Sequence, residues 1–458
     1  MRLPPLSAFA TPRAAAAAIL ALGGLTTYVV NFPGSLSYDS YVQLLEGREA
    51  SYANWHPPVM SWMLGVSDAI SPGAAYFVLF DTLLAFGALL SLLWLLRRVS
   101  WLAVAGAAIF VCLPQLFLFQ AIVWKDALFA DACLAGFVCL AHAAARWQMR
   151  RFRLATIGAA AAFLALAMLA RQNGAIVLPC AAVALGAITA GREKRWRTGV
   201  AYGAALLIAS AAIALAANAA LELRSDGTPA VQMQFKTLQL YDLTGMAKMQ
   251  PGLPLPVLEK GSPELARLIR SDGVRLFSPT KNDTLEKSAP LIAALDKTSE
   301  PVLARQWREL MLSHSATYLA VRAELFGWLF LTPDEERCHL FHVGAEGDPD
   351  DLAALGMRTR WDRRDIALKE YGEAFVGTPV FAHPTFALVA LAALVLLLLR
   401  RRPTDLAMAG LLAAALLFTL SFFAISIACD YRYLYALDLS AIAAALYLLA
   451  DWPTKKGA

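Results

Sequence analysis

The residues best suited to chemistry in this chain are Asp39, Trp55, His56, Lys125, Asp126, Arg171, Asn173, Tyr431 and Arg432. Each stands in a short polar connector between apolar runs: Ser37-Tyr38-Asp39-Ser40, Asn54-Trp55-His56-Pro57-Pro58, Trp124-Lys125-Asp126, Arg171-Gln172-Asn173 and Asp430-Tyr431-Arg432-Tyr433. Acids, an imidazole and cations in connectors of this kind suit one chemistry. Lysine and arginine can hold a phosphate, arginine bidentately. A carboxylate can take the proton of an attacking hydroxyl. Fixed positive charge then favours departure of a phosphate leaving group.

Each residue also has a plainer reading. Asp39 can cap a short helix, and His56 before two prolines can set a turn. Lys125 and Asp126 can form an interfacial ion pair of little energetic worth. Arg171 can snorkel to headgroups, and Arg432 between two tyrosines matches an interfacial belt. The functional reading gains weight only if these distant residues converge.

The elements that would position them are membrane helices. Of the 458 residues 59% are hydrophobic and 16% charged, against about 25% charged in soluble domains. Apolar runs of about 18 residues or more cross the hydrocarbon core as helices, because lipid offers the backbone no hydrogen-bond partner. Ten runs qualify: 14–32, 72–96, 101–119, 127–145, 154–170, 174–190, 199–221, 380–399, 406–426 and 434–450. The expected fold class is an all-α polytopic membrane protein. The alanine-rich runs 154–170 and 199–221 are the less hydrophobic ones and are expected among other helices. The first run follows Arg2 and Arg13 with no small-residue cleavage site after it, so it reads as a retained span.

Positive charge orients the bundle. Arg97-Arg98, Arg146/Arg150/Arg151/Arg153, Arg192/Lys194/Arg195/Arg197 and Arg400-Arg401-Arg402 fall in alternate connections, and Arg2, Arg13, Lys455 and Lys456 join them at the termini. Both termini are therefore expected in the cytoplasm of a cell inner (plasma) membrane, with the connectors that carry the candidate site outside. The expected organisation is a seven-span bundle over 1–221, an extracytoplasmic domain over 222–379 and a three-span bundle over 380–458. The first outward loop, 33–71, contains an apolar stretch at 57–70 too short to cross, expected as an interfacial or re-entrant helix. Within 222–379, the stretches 230–249, 301–329 and 361–375 read as helical and 334–350 as loop.

Cys112, Cys133, Cys139 and Cys180 lie in apolar runs and read as small buried hydrophobes. Cys338 and Cys429 both face outward and could pair. No CxxC or Cys/His spacing marks a metal centre, and His339 and His342 stand in an expected loop. The net charge of +5 lies in clusters beside the spans, with no basic-aromatic surface for nucleic acid.

Asp39 after the first span, a short helical stretch, and then Trp55-His56-Pro57-Pro58 resemble the GT-C superfamily of membrane glycosyltransferases, nearest to the protein mannosyltransferases and lipid A aminoarabinose transferases. Lys125-Asp126 resembles the family's second acidic position, Arg171-Gln172-Asn173 its Arg-x-Asn, and Asp430-Tyr431-Arg432-Tyr433 its late Arg-Tyr motif. Where the family often doubles the first acid, Asp39 is followed by Ser40, and Glu46 and Glu49 stand in the same loop as alternatives. The resemblance implies hexosyl or pentosyl transfer from a polyprenyl-phosphate-linked sugar to an acceptor it leaves unspecified. Asp39 would be the general base, with Asp126 the second catalytic acid. Lys125, Arg171 and Arg432 would hold the lipid phosphate, with Asn173 and Tyr431 beside them, and His56 and Trp55 would shape the donor site. No cofactor is required by the residues, though Asp39 with Asp126 could hold a divalent metal, as some members need.

The main rival reading is a transporter or flippase of lipid-linked saccharides. It would show polar residues at the bilayer midplane and repeated or broken helices. Only Asp81 and Asp131 meet the first condition, and no repeat is visible.

Overall fold

A computed structural model describes residues 11–53, 55–225, 227, 230–332, 334 and 336–453. Arg2, Asn54, Lys455 and Lys456 lie outside the described residues. Among the described residues there is no strand, and nine helices are long and apolar enough to cross a membrane. The chain is an all-α polytopic membrane protein.

The helices of the first half are α1 (Pro12–Asn31), α2 (Tyr38–Glu49), α3 (Pro58–Ile70), α4 (Ala75–Leu92), α5 (Leu102–Phe110), α6 (Pro114–Phe117), α7 (Lys125–Ala145), α8 (Arg150–Ala170), α9 (Val177–Glu193) and α10 (Trp196–Glu222). Spans near the C-terminus are His383–Arg400, Pro403–Ile425 and Tyr435–Ala450. The expected third span, 101–119, is not one straight helix. It bends by 66° between Leu102–Phe110 and Pro114–Ala121. Pro114 supplies no N–H to the preceding turn and drives Leu113 out of the helical region; Leu113 is extended, with φ −82° and ψ 142°. Apolar composition does not register such a bend.

The chain divides into two compact units. The first comprises residues 1–226, 341–419 and 434–458. Helix α7 is its most enclosed span, with 89% of its apolar window buried, followed by the last span at 78%. Phe129 stacks on Phe418 at 4.2 Å and Phe119 on Tyr435 at 4.9 Å. The expectation that the alanine-rich spans are enclosed is overturned: only 28% of the α8 window and 22% of the α10 window is buried. Lipid accepts an alanine face without penalty, and small side chains let neighbouring helices come close, so α8 packs on α7 and α10, and α10 on α9, while much of each surface stays exposed.

The second unit comprises residues 227–340 and 420–433, so the segment expected as 222–379 is shared between the two. Its helices include Ala230–Met249, Glu300–Ser313 and Ser315–Leu331. Leu240, Tyr241, Leu291, Leu303 and Leu325 pack into its core. Cys338 and Cys429 are joined by a disulfide. At its centre Asp242 and Arg322, each wholly buried, pair at 2.6 Å. The Trp307 indole N–H donates to Asp242 at 2.8 Å, and Arg322 donates to the Ser426 carbonyl at 2.9 Å.

Candidate active site

The site in the first unit starts from how the chain leaves α1. Asn31 donates from its side-chain amide to the carbonyls of Thr27 (2.8 Å) and Phe117 (2.9 Å), tying the end of α1 to the segment after the Pro114 bend. Gly34 follows at φ +109°, where a Cβ would come within 2.7 Å of Val78, so only glycine fits the turn. Ser35 then lies extended against the chain entering α7: Ser35 N–H donates to the Ala121 carbonyl at 2.9 Å, and Val123 N–H donates to the Ser35 carbonyl at 3.0 Å. Leu36 is held on its other side, its N–H donating to the Gly344 carbonyl at 2.9 Å. This lacing sets the start of α2 beside the start of α7.

Side chains complete the junction. The Trp124 indole N–H donates to Ser37 Oγ at 2.9 Å, the Ser37 and Ser40 hydroxyls are 3.0 Å apart, and Ser40 donates to the Val123 carbonyl at 2.7 Å. The first two residues of α2 and α7 are thereby brought to one locus, and these residues are Tyr38-Asp39 and Lys125-Asp126.

His56 lies between them. Lys125 Nζ is 2.6 Å from His56 Nδ1, and His56 Nε2 is 3.7 Å from Asp39 Oδ1. An ammonium group has donors and no acceptor, so Nδ1 accepts from Lys125 and the ring proton sits on Nε2, facing the carboxylate. The side chains of His56 and Asp39 are 11% and 28% exposed. The imidazole is therefore nearly enclosed and the carboxylate partly exposed. Trp55, next to His56, is 39% exposed.

Asp126 turns inward from the same helix end. It is 3% exposed and forms an ion pair with Arg171, 8% exposed, which follows α8. The Asp126 carboxylate thus faces a guanidinium. Among the described residues no group of three or more His, Cys, Asp or Glu side chains could hold a metal ion. Asp39 stands beside His56, and Asp126 pairs with Arg171. Asn173, half-buried, lies in the short turn 172–176 after Arg171. There Gly174 approaches the Ala167 carbonyl so closely that a Cβ would sit 2.6 Å from it.

The remaining two candidates belong to the second unit. Tyr431 is buried and its N–H donates to the His339 carbonyl at 3.0 Å. Arg432 pairs with Asp430 at 3.1 Å and lies over the Tyr433 ring.

Helix α3 supports the site from behind α2. Gly47 and Gly65 face one another so closely that a Cβ on either would lie 2.1–2.2 Å from a backbone oxygen of the other helix. Ser61 donates to Glu46 at 2.7 Å. Glu46, one of the alternative acids of this loop, is thereby part of the helix contact. Arg48 grips Asp68 with two hydrogen bonds of 2.8 and 2.6 Å. These bonds hold the Asp68 carboxyl below its ordinary range against the opposing pull of burial. A depressed carboxylate stabilises the fold above its unfolded pKa, about 3.9, and that contribution is lost as pH falls through the folded value. In hydrogen exchange, amides of 38–70 should lose protection as the pH drops below about 4. Asp68→Asn should show the reduced protection already at neutral pH. Equal protection in wild type and variant at neutral pH would remove Arg48–Asp68 as the clamp.

Sequence reading singled out Asp81 and Asp131 but not their surroundings. Gln120 donates to Asp131 at 2.8 Å and contacts Tyr435 Oη at 2.9 Å, and Tyr435 donates to the Gln115 carbonyl at 2.6 Å. Gln120 lies just past the apolar run 101–119, in the turn Phe119–Ala121, and its placement follows from the bend after Phe110.

No protein-family model matches the chain, and no curated protein matches it. Among solved structures it is similar to the archaeal oligosaccharyltransferase AglB from Archaeoglobus fulgidus, in complex with an inhibitory peptide and a dolichol-phosphate. The TM-score is 0.41 and the identity 14%, over 94% of this chain and 50% of that one. It is also similar to the Archaeoglobus fulgidus oligosaccharyltransferase in the apo form, with TM-score 0.40, 14% identity and the same coverage. The chain spans about half the length of these proteins.

Proposed function

We propose that this chain is a membrane glycosyltransferase of GT-C type that moves a sugar from a polyprenyl-phosphate carrier to an acceptor on the extracytoplasmic side. One observation carries the reading. Asp39, His56 and Lys125, widely separated in sequence, form a contiguous acid–imidazole–cation row in which the acid stays accessible. A structural ion pair between Asp39 and Lys125 would not need the imidazole between them.

In the proposed reaction the Asp39 carboxylate takes the proton of an acceptor hydroxyl or amide. The oxygen or nitrogen so activated bonds to the anomeric carbon, and the bond from that carbon to the phosphate oxygen breaks. The electron pair leaves with the polyprenyl phosphate, whose growing negative charge Lys125 stabilises. His56 orients Asp39 and Lys125 relative to each other. Arg171, neutralised by Asp126, holds the start of α7 in place more than it attracts phosphate. The sidedness rests on the alternation of basic connectors.

The test supplies purified protein in nanodiscs with a radiolabelled polyprenyl-phosphate sugar and a membrane extract as acceptor source. Label should move to an acceptor and polyprenyl phosphate should accumulate. The buried Asp81, Asp131 and Gln120 favour a second reading as a transporter of lipid-linked sugar. Passage of intact labelled lipid across vesicles with no sugar transfer would select it and reject the transferase.

A further inference from the structure

Helices α9 and α10 meet through glycine. A Cβ on Gly199 would lie 2.4 Å from the Gly186 carbonyl oxygen, and one on Gly203 2.5 Å from that of Ala182. Backbones packed this closely leave no large side chains to fill the flank of the seam. A groove of about 480 Å³ runs there, lined by Val183, Gly186, Ala187, Trp196, Val200 and Ala204 among others. Val183, Trp196 and Val200 are 71%, 70% and 59% exposed. The wall is apolar along its whole length.

The mouth of the groove is the turn joining the two helices, and its charge is one-sided. Arg192, Lys194, Arg195 and Arg197 are all exposed there. Glu193, the one acid of the turn, accepts from the Trp147 indole at 2.8 Å and pairs with Arg153 at 3.8 Å, so its charge is spent toward α8. Arg192 donates to the Ala144 carbonyl at 2.7 Å. Lys194, Arg195 and Arg197 remain around Trp196, with the Arg197 guanidinium 5.7 Å over its ring. An apolar trough lined by an interfacial indole, with three exposed cations flanking that indole in the adjoining turn, is complementary to an acyl chain that ends in an anionic headgroup.

We propose that the α9–α10 groove is a binding site for an anionic glycerophospholipid. Its acyl chain lies along Val183, Ala187, Val200 and Ala204, and its phosphate meets Lys194, Arg195 and Arg197. The site is separate from Asp39, His56 and Lys125, and the inference holds whether or not the chain transfers sugar.

The experiment places the full chain in vesicles containing phosphatidylglycerol or phosphatidylcholine brominated at matched acyl positions. Trp196 quenching is read as the difference between wild type and Trp196→Phe. Bromine on phosphatidylglycerol should quench Trp196 far more than bromine on phosphatidylcholine. Replacing Lys194, Arg195 and Arg197 together by Gln should lower the apparent affinity for phosphatidylglycerol by about 10- to 100-fold. Ala187→Leu with Ala204→Leu fills the trough from its lipid-facing side, leaves the cations in place, and should also abolish the preference. Equal quenching by the two lipids overturns the proposal. So does a preference that survives the filled trough, which would mean that the basic turn attracts lipid only to its surface.

Discussion

Asp39→Asn should lower kcat for sugar transfer by about 10²- to 10⁴-fold, the usual span for losing a positioned general base, with little change in KM for the lipid-linked donor. The amide keeps the size and much of the hydrogen bonding of the carboxylate, so the row through His56 to Lys125 persists, but it takes no proton at neutral pH. An interaction made only in the transition state is removed, which lowers kcat and kcat/KM together. Lys125→Gln should behave differently. It removes charge that both binds the donor phosphate and stabilises its departure, so KM should rise while kcat falls. Single-turnover transfer of label from a polyprenyl-phosphate sugar measures both. Transfer by Asp39→Asn within a few-fold of wild type would end the assignment of Asp39 as the base, and Glu46→Gln would then be the next variant to assay.

Arg322→Met should destabilise the second unit by about 3–5 kcal/mol, because it leaves a buried charge without its partner. Asp242 is wholly buried and holds Arg322 at 2.6 Å. Burial already pushes its carboxyl up, and the guanidinium works against that. Without Arg322 the carboxyl of the folded state is raised further above its unfolded value. The folded state then binds more protons than the unfolded one, and stability falls as pH rises through that interval. Arg322→Met should therefore be least damaging in acid and worst at neutral pH. Asp242→Leu with Arg322→Met should recover much of the loss, since apolar replacement of a whole buried pair is often neutral or better. Limited proteolysis across pH at sites within 230–330 reads the effect. A double variant no better than Arg322→Met would show that the geometry of the pair, and not its charge balance, holds this core.

Much of the architecture follows from the sequence alone, because the bilayer imposes one solution. An apolar run of sufficient length has to be a helix there, and the runs at 127–145, 174–190, 199–221, 380–399 and 406–426 meet helices with ends shifted by a few residues. The short stretch 57–70 also forms a helix, Pro58–Ile70, whose first position suits a proline because no N–H is needed there. The bend at Pro114 and the exposure of α8 and α10 were not legible. Hydropathy averages over a window and carries neither the direction of a helix axis nor which face meets a neighbour.

The residue types of the candidate site were likewise legible, since acids, imidazole and cations beside spans are conspicuous against an apolar background. Their partnerships were not. Lys125 and Asp126 are adjacent in sequence, yet one reaches His56 and the other Arg171, because successive residues of a helix point about 100° apart. Ser37 and Trp124 meet only because the extended segment at Ser35 is laced to Ala121 and Val123. Composition and spacing determined that this chain crosses a membrane and carries ionisable groups in its connectors. Which acid meets His56, which meets Arg171 and which helices pack closely were decided by tertiary contacts between segments distant in sequence, whose geometry no local pattern encodes.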